Sequence, residues 1–176
     1  MPLREGADIQ EFTTRAPRLF ADPSRFPRHL RRDWKGVAIL VRQTARFPIA
    51  AAADGTAFRN SLLAGFETEA WPRALLLCLL NSSLVRWLHY TRFRDARQGM
   101  PQVKIGHLRS LPAPVFSDPA SRAELLATGE RLIAGNAGFG PGDRDAIDQV
   151  VFRWYGLSPQ QCAMVQSWWA GVRTTR

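Results

Sequence analysis

At 176 residues the chain is long enough to bury one hydrophobic core and matches the size of a single domain. A composition of 45% hydrophobic, 10% aromatic and 22% charged residues excludes an intrinsically disordered protein. The net charge of +9 excludes an ordinary neutral surface, and 22 of the 24 basic residues are arginine, which forks onto phosphates and onto guanine edges.

Residues 1–35 are polar, arginine-rich and broken by Pro17, Pro23 and Pro27. They read as extended chain with one short helix around residues 27–33. Val37-Ala38-Ile39-Leu40-Val41 is a continuous apolar run of the kind that forms a buried strand. Residues 46–53, entered through Phe47-Pro48, predict a second strand, Asp54-Gly55 a turn, and residues 58–63 a third strand. Over residues 67–90 the period changes: Trp71, Leu75, Leu79, Leu80, Leu84, Trp87 and Leu88 recur at three- and four-residue spacing. That pattern predicts a helix packed on the sheet, with Pro72 where a first turn tolerates it. Asn81-Ser82-Ser83 marks either a break in this helix or a point of close packing. A basic loop follows over residues 91–104, ending in a short strand around Val103, and Leu111-Pro112-Ala113-Pro114-Val115 is extended. Residues 119–135, 143–155 and 160–172 predict three helices, the last opened by Ser158 as N-cap and Pro159 in its first turn. Residues 136–142 form a glycine-rich connector. The expected fold class is α+β, a small, mainly antiparallel sheet packed on a long helix and followed by a helical C-terminal segment.

Charge divides the chain in two. Residues 1–115 hold 18 basic and 9 acidic side chains, whereas residues 116–176 hold 6 of each. The first part is therefore expected to be the binding unit, and residues 116–176 a helical tail that docks on a partner. Arg25, Arg28, Arg31, Arg32, Lys35, Arg42 and Arg46 are opposed only by Asp33. Such a run is either a solvated basic face or a polyanion site driven by counterion release. Cys78 and Cys162 lie far apart in apolar surroundings, and His29, His89 and His107 lack ligand spacing, so neither a disulfide framework nor a metal is expected. The amino-terminal residues lack a signal-peptide core, and the longest apolar run, residues 74–80, is too short for a bilayer. A cytoplasmic protein without membrane contact is expected.

Three stretches together resemble a known family. Leu79-Leu80-Asn81-Ser82-Ser83-Leu84 is followed about thirty residues later by Leu111-Pro112-Ala113-Pro114. Ile147-Asp148-Gln149-Val150-Val151-Phe152-Arg153-Trp154-Tyr155-Gly156-Leu157 comes near the end, and Gly6-Ala7-Asp8-Ile9 near the start. In this order they resemble the TaqI-like C-terminal specificity domain of N6-adenine DNA methyltransferases, found in type IIG restriction enzymes and BREX-type phage-defence methyltransferases. Trp154 stands where that family more often has leucine. The resemblance implies a module that docks on double-stranded DNA opposite a catalytic methyltransferase domain or subunit and reads bases from the major groove. The Asn-Pro-Pro-aromatic motif that such enzymes use on the flipped base has no counterpart here, and the glycine-rich segment follows a helix instead of a strand. A non-catalytic module without a cofactor is therefore expected.

Two loops have the composition of base readers, since arginine pairs bidentately with guanine and glutamine with adenine. The first supplies Arg42, Gln43 and Arg46; the second supplies Arg94, Arg97, Gln98, Gln102 and Lys104. Arg59 and Asn60 add to them after the Asp54-Gly55 turn. Arg25, Arg28, Arg31, Arg32, Lys35 and Arg92 are expected at phosphates, which position without specifying. Trp168 and Trp169, adjacent in one helix, are expected to place at least one ring at a partner interface. An assembly subunit of such a defence complex, docking through its neutral helical end, is the alternative; a single-strand binder would need more aromatics among the arginines than Phe93.

Overall fold

The computed structural model describes residues 1–25, 34, 36–93, 99–114, 118–135 and 138–174. Its α+β architecture matches the expectation, but the strands form two three-stranded sheets. In the first, β1 (Pro2–Arg4) pairs antiparallel with β2 (Leu19–Phe20) and parallel with β5 (Ala57–Phe58). In the second, β3 (Ile39–Arg42) lies between β4 (Ala50–Ala52) and β6 (Leu62–Gly65), antiparallel to both. The apolar run 37–41 thus becomes the central strand, buried on both faces, as a continuous rather than alternating pattern requires. The expected third strand is split in two, because the chain turns at Arg59–Ser61 before β6. The short helix expected around residues 27–33 lies outside the described residues.

The long amphipathic segment is two helices, α1 (Arg73–Asn81) and α2 (Ser83–Arg92). Ser82, extended at φ −66° and ψ 152°, closes the first and opens the second. Its hydroxyl donates to the Leu79 carbonyl (2.7 Å) and accepts from the Val85 N–H (3.2 Å), so one side chain caps both ends. Residues 101–104 form no strand, although the Val103 N–H does bond to Gln43; they lead into a five-residue helix, α3 (Ile105–Arg109), that the sequence pattern did not reveal.

Three helices complete the chain: α4 (Pro119–Ala134), α5 (Pro141–Trp154) and α6 (Pro159–Thr174). Asp118 caps α4, and Ser158 caps α6 in a reciprocal pair with Gln161. Gly129 lets α4 lie against α1: a Cβ there would sit 2.5 Å from the Ala74 carbonyl oxygen. The boundary expected at residue 115 does not separate two cores. One cluster unites Phe12, Ile39, Val41, Leu75 and Leu77 with Leu125, Leu132, Ile147, Val151 and Val165. The C-terminal helices are part of the body that the sheet packs on, not an appended tail. Among the described residues no helix is long and apolar enough to cross a membrane.

Candidate nucleic-acid interface

Three segments singled out in the sequence meet at one end of the β4–β3–β6 sheet. Gln43 leaves β3 with its N–H bonded to the Ser61 carbonyl (3.0 Å), while its own carbonyl accepts from the Val103 N–H (2.7 Å). One residue therefore joins the loop after β3, the turn bearing Arg59 and Asn60, and the returning end of the 91–104 loop. Val103 is wholly buried and anchors that return. Pro101 shares a cavity of about 390 Å³ with Arg42, Thr44, Arg46 and Phe47. Around the junction Arg46, Arg59, Asn60 and Lys104 are exposed, and Arg42, Gln43 and Gln102 are half-buried.

The other candidates are placed unevenly. Arg59 stands 3.8 Å from Glu5, and Arg25 3.8 Å from Asp22, both loose surface pairs. Arg92 commits one guanidinium nitrogen to the Ser110 carbonyl (2.9 Å). Arg28, Arg31, Arg32, Lys35, Arg94, Arg97 and Gln98 lie outside the described residues. Trp168 and Trp169, expected to place at least one ring at a partner interface, are both half-buried and both meet aromatic rings of the chain itself. They straddle Phe47, with ring centroids 6.2 and 5.6 Å from it, and Trp168 also meets Tyr90 at 5.5 Å. Phe47 itself is buried, and both tryptophans keep part of their surface exposed.

Behind the loop of Arg46 and Phe47 lies a charge network that the sequence reading missed. Arg86 is wholly buried on α2. Its guanidinium donates to the Pro48 carbonyl, Glu11 and Asn81, each at 3.0 Å. Arg144 on α5 donates to the same Glu11 oxygen (3.0 Å) and to the Asn81 carbonyl. Its guanidinium lies between the rings of Phe139 (4.8 Å) and Trp169 (4.3 Å). Burial would raise the pKa of Glu11, but the two arginines overcome it and hold the carboxyl below its usual range. Burial, reinforced by the Arg86 charge, lowers Arg144 to about 9.

Phe12 brings Glu11 to this point through a left-handed backbone, φ 65°, that costs a non-glycine residue on the order of 1–3 kcal/mol. Two backbone bonds to β4, Phe12 N–H to Ala50 (2.9 Å) and Ala52 N–H to Phe12 (3.3 Å), hold it there. The signal for the network was present in the sequence: Arg144 and Asp148 fall at helical spacing on the face of Ile147 and Val151, where solvent is excluded.

Neither protein-family models nor curated proteins give a match to this chain.

The motifs that carry the family resemblance interlock. Asn81 bonds both backbone groups of Ala50, accepting from N–H (3.1 Å) and donating to C=O (2.9 Å). The Ser83 N–H donates to Asp148 (2.8 Å), whose pKa burial raises against that bond. The Tyr155 hydroxyl donates to the Pro112 carbonyl (2.8 Å). Asp8 accepts from the Glu5 N–H (2.9 Å) at the opening of the first turn. These residues build the scaffold, whereas Arg46, Arg59 and Asn60 near the Gln43 junction are exposed.

Arg4 grips Asp54 with two bonds of 2.6 and 3.2 Å, which press the carboxyl down to about 2. That pair ties β1 to the turn before β5.

Proposed function

We propose that the chain is a sequence-reading module for double-stranded DNA, cytoplasmic and without catalytic residues or cofactor of its own. It would act with a SAM-dependent adenine-N6 methyltransferase domain or subunit in a restriction-modification or phage-defence system. The observation that carries this reading is the junction at Gln43. Loops far apart in sequence converge there and present Arg42, Gln43, Arg46, Arg59, Asn60, Gln102 and Lys104 together, the mixture of guanidinium and amide groups that base edges require. The charge of residues 1–115 adds attraction to phosphates. Further support comes from the interlocking of Asn81, Ser83, Pro112, Asp148 and Tyr155, since the residues behind the resemblance to TaqI-like specificity domains are those that set the scaffold.

Selection from a random duplex library, followed by binding at fixed salt, tests the reading. Duplex is expected to outcompete single strand. Arg46→Ala should relax base preference at one position by about 1–3 kcal/mol. Arg25→Ala should weaken all sequences alike and reduce the salt slope by about one. Equal competition by single strands, or absence of duplex binding, refutes the proposal.

A further inference from the structure

We propose that Met100 is a wedge that enters the base stack of the bound duplex, an inference that rests on the DNA-reading role above. Met100 leaves 71% of its surface exposed, one of the largest apolar exposures among the described residues. Pro101 follows it directly and lines the cavity shared with Arg42, Thr44 and Arg46. Three residues on, Val103 is wholly buried and bonded to Gln43 at 2.7 Å. Two residues, one of them a proline with its φ fixed by the ring, therefore tie the backbone of Met100 to the junction at Gln43.

The side chain suits insertion. It is flexible and polarizable, and methionine, like leucine, is among the apolar residues that insert between base steps. Exposed Arg46 and Lys104 lie on the two segments joined at Gln43 and would supply positive charge for the phosphates near an opened step. Ile105, 49% exposed next to Lys104, adds apolar surface at the same rim. Apolar wedges of this kind unstack a base step and kink the duplex, at a cost that contact with the bent DNA recovers. The partner is thus a duplex that is deformed on binding, and part of its selectivity comes from how readily a step opens.

The test uses the full chain and a duplex recovered by the selection described above. That duplex is compared with versions lacking one nucleotide at successive positions, so that a step is already open. At one position the gapped duplex is expected to bind at least about tenfold more tightly, because opening an intact step costs a few kcal/mol. Met100→Ala should abolish that preference, Met100→Leu should keep it, and Arg25→Ala should weaken gapped and intact duplex equally. Equal binding of all duplexes by the unaltered chain, or a preference that survives Met100→Ala, overturns the wedge and leaves the reading role standing. Failure to bind any duplex overturns both.

Discussion

Replacing Asn81 by leucine, close to it in size, isolates what this buried amide does. Asn81 is wholly buried and makes three bonds: two to the backbone of Ala50 and one from Arg86. The Ala50 carbonyl keeps the Phe12 N–H as a second donor, so its loss is small. The Ala50 N–H and the Arg86 guanidinium each lose an acceptor in the interior. A buried group deprived of its partner costs about 1–3 kcal/mol, with charged groups at the upper end, so Asn81→Leu should destabilise by about 3 kcal/mol. Urea unfolding followed by tryptophan fluorescence reads this as a lower midpoint at unchanged slope. Ser83→Ala is the control: the Ser83 hydroxyl is buried without a hydrogen bond, and only its backbone N–H meets Asp148. Removing it should cost less than about 0.5 kcal/mol. A loss below about 1 kcal/mol for Asn81→Leu, or equal losses for the two, would refute the argument that the amide ties α1 to β4.

Gly129→Ala should destabilise by about 1–3 kcal/mol in the same assay, because the new Cβ meets main-chain atoms of Ala74 at 2.5 and 2.9 Å; Gly142→Ala, with open space around it, should not. Asp54→Asn should lower stability at neutral pH but not at pH 2. The folded-state pKa of about 2 lies below the usual 3.8, so the contribution of the pair is complete above pH 4 and fades as pH falls toward 2. Acid titrations of the two proteins that run parallel down to pH 2 would contradict this.

The elements that hydrophobic pattern controls were legible: the buried run that became β3, the helical period from Trp71 to Leu88, and the three C-terminal helices with the Ser158 cap. Pattern does not report partners, and two features stayed hidden for that reason. Strands β1 and β2 are two or three residues long, and β1 gains its place only by pairing with β2 and β5, from elsewhere in the sequence. Residue 115 looked like a boundary because charge changes there, yet charge describes the surface while Leu125, Ile147 and Val165 share a core with Phe12. At the candidate site, composition found the loops of Arg42–Arg46 and Gln102–Lys104, but not the bond between Gln43 and Val103 that brings them together. Arg86 and Glu11 escaped notice for the same reason. A charged residue in an apolar helix reads as a solvated one until its counter-ion, 75 residues away, is placed beside it.

The bond between Glu11 and Arg144 spans 133 residues, most of the chain. During synthesis Glu11, β3 and Arg86 emerge well before α5, and Trp169 emerges later still. Loop closure on this scale is slow, and contacts so distant in sequence form late in folding. Until Arg144 and Trp169 arrive, Arg86 has only part of its final surroundings, and the loop that carries Arg46 is only partly braced. The bracing of the basic first two thirds of the chain is therefore complete only once α6 has been made.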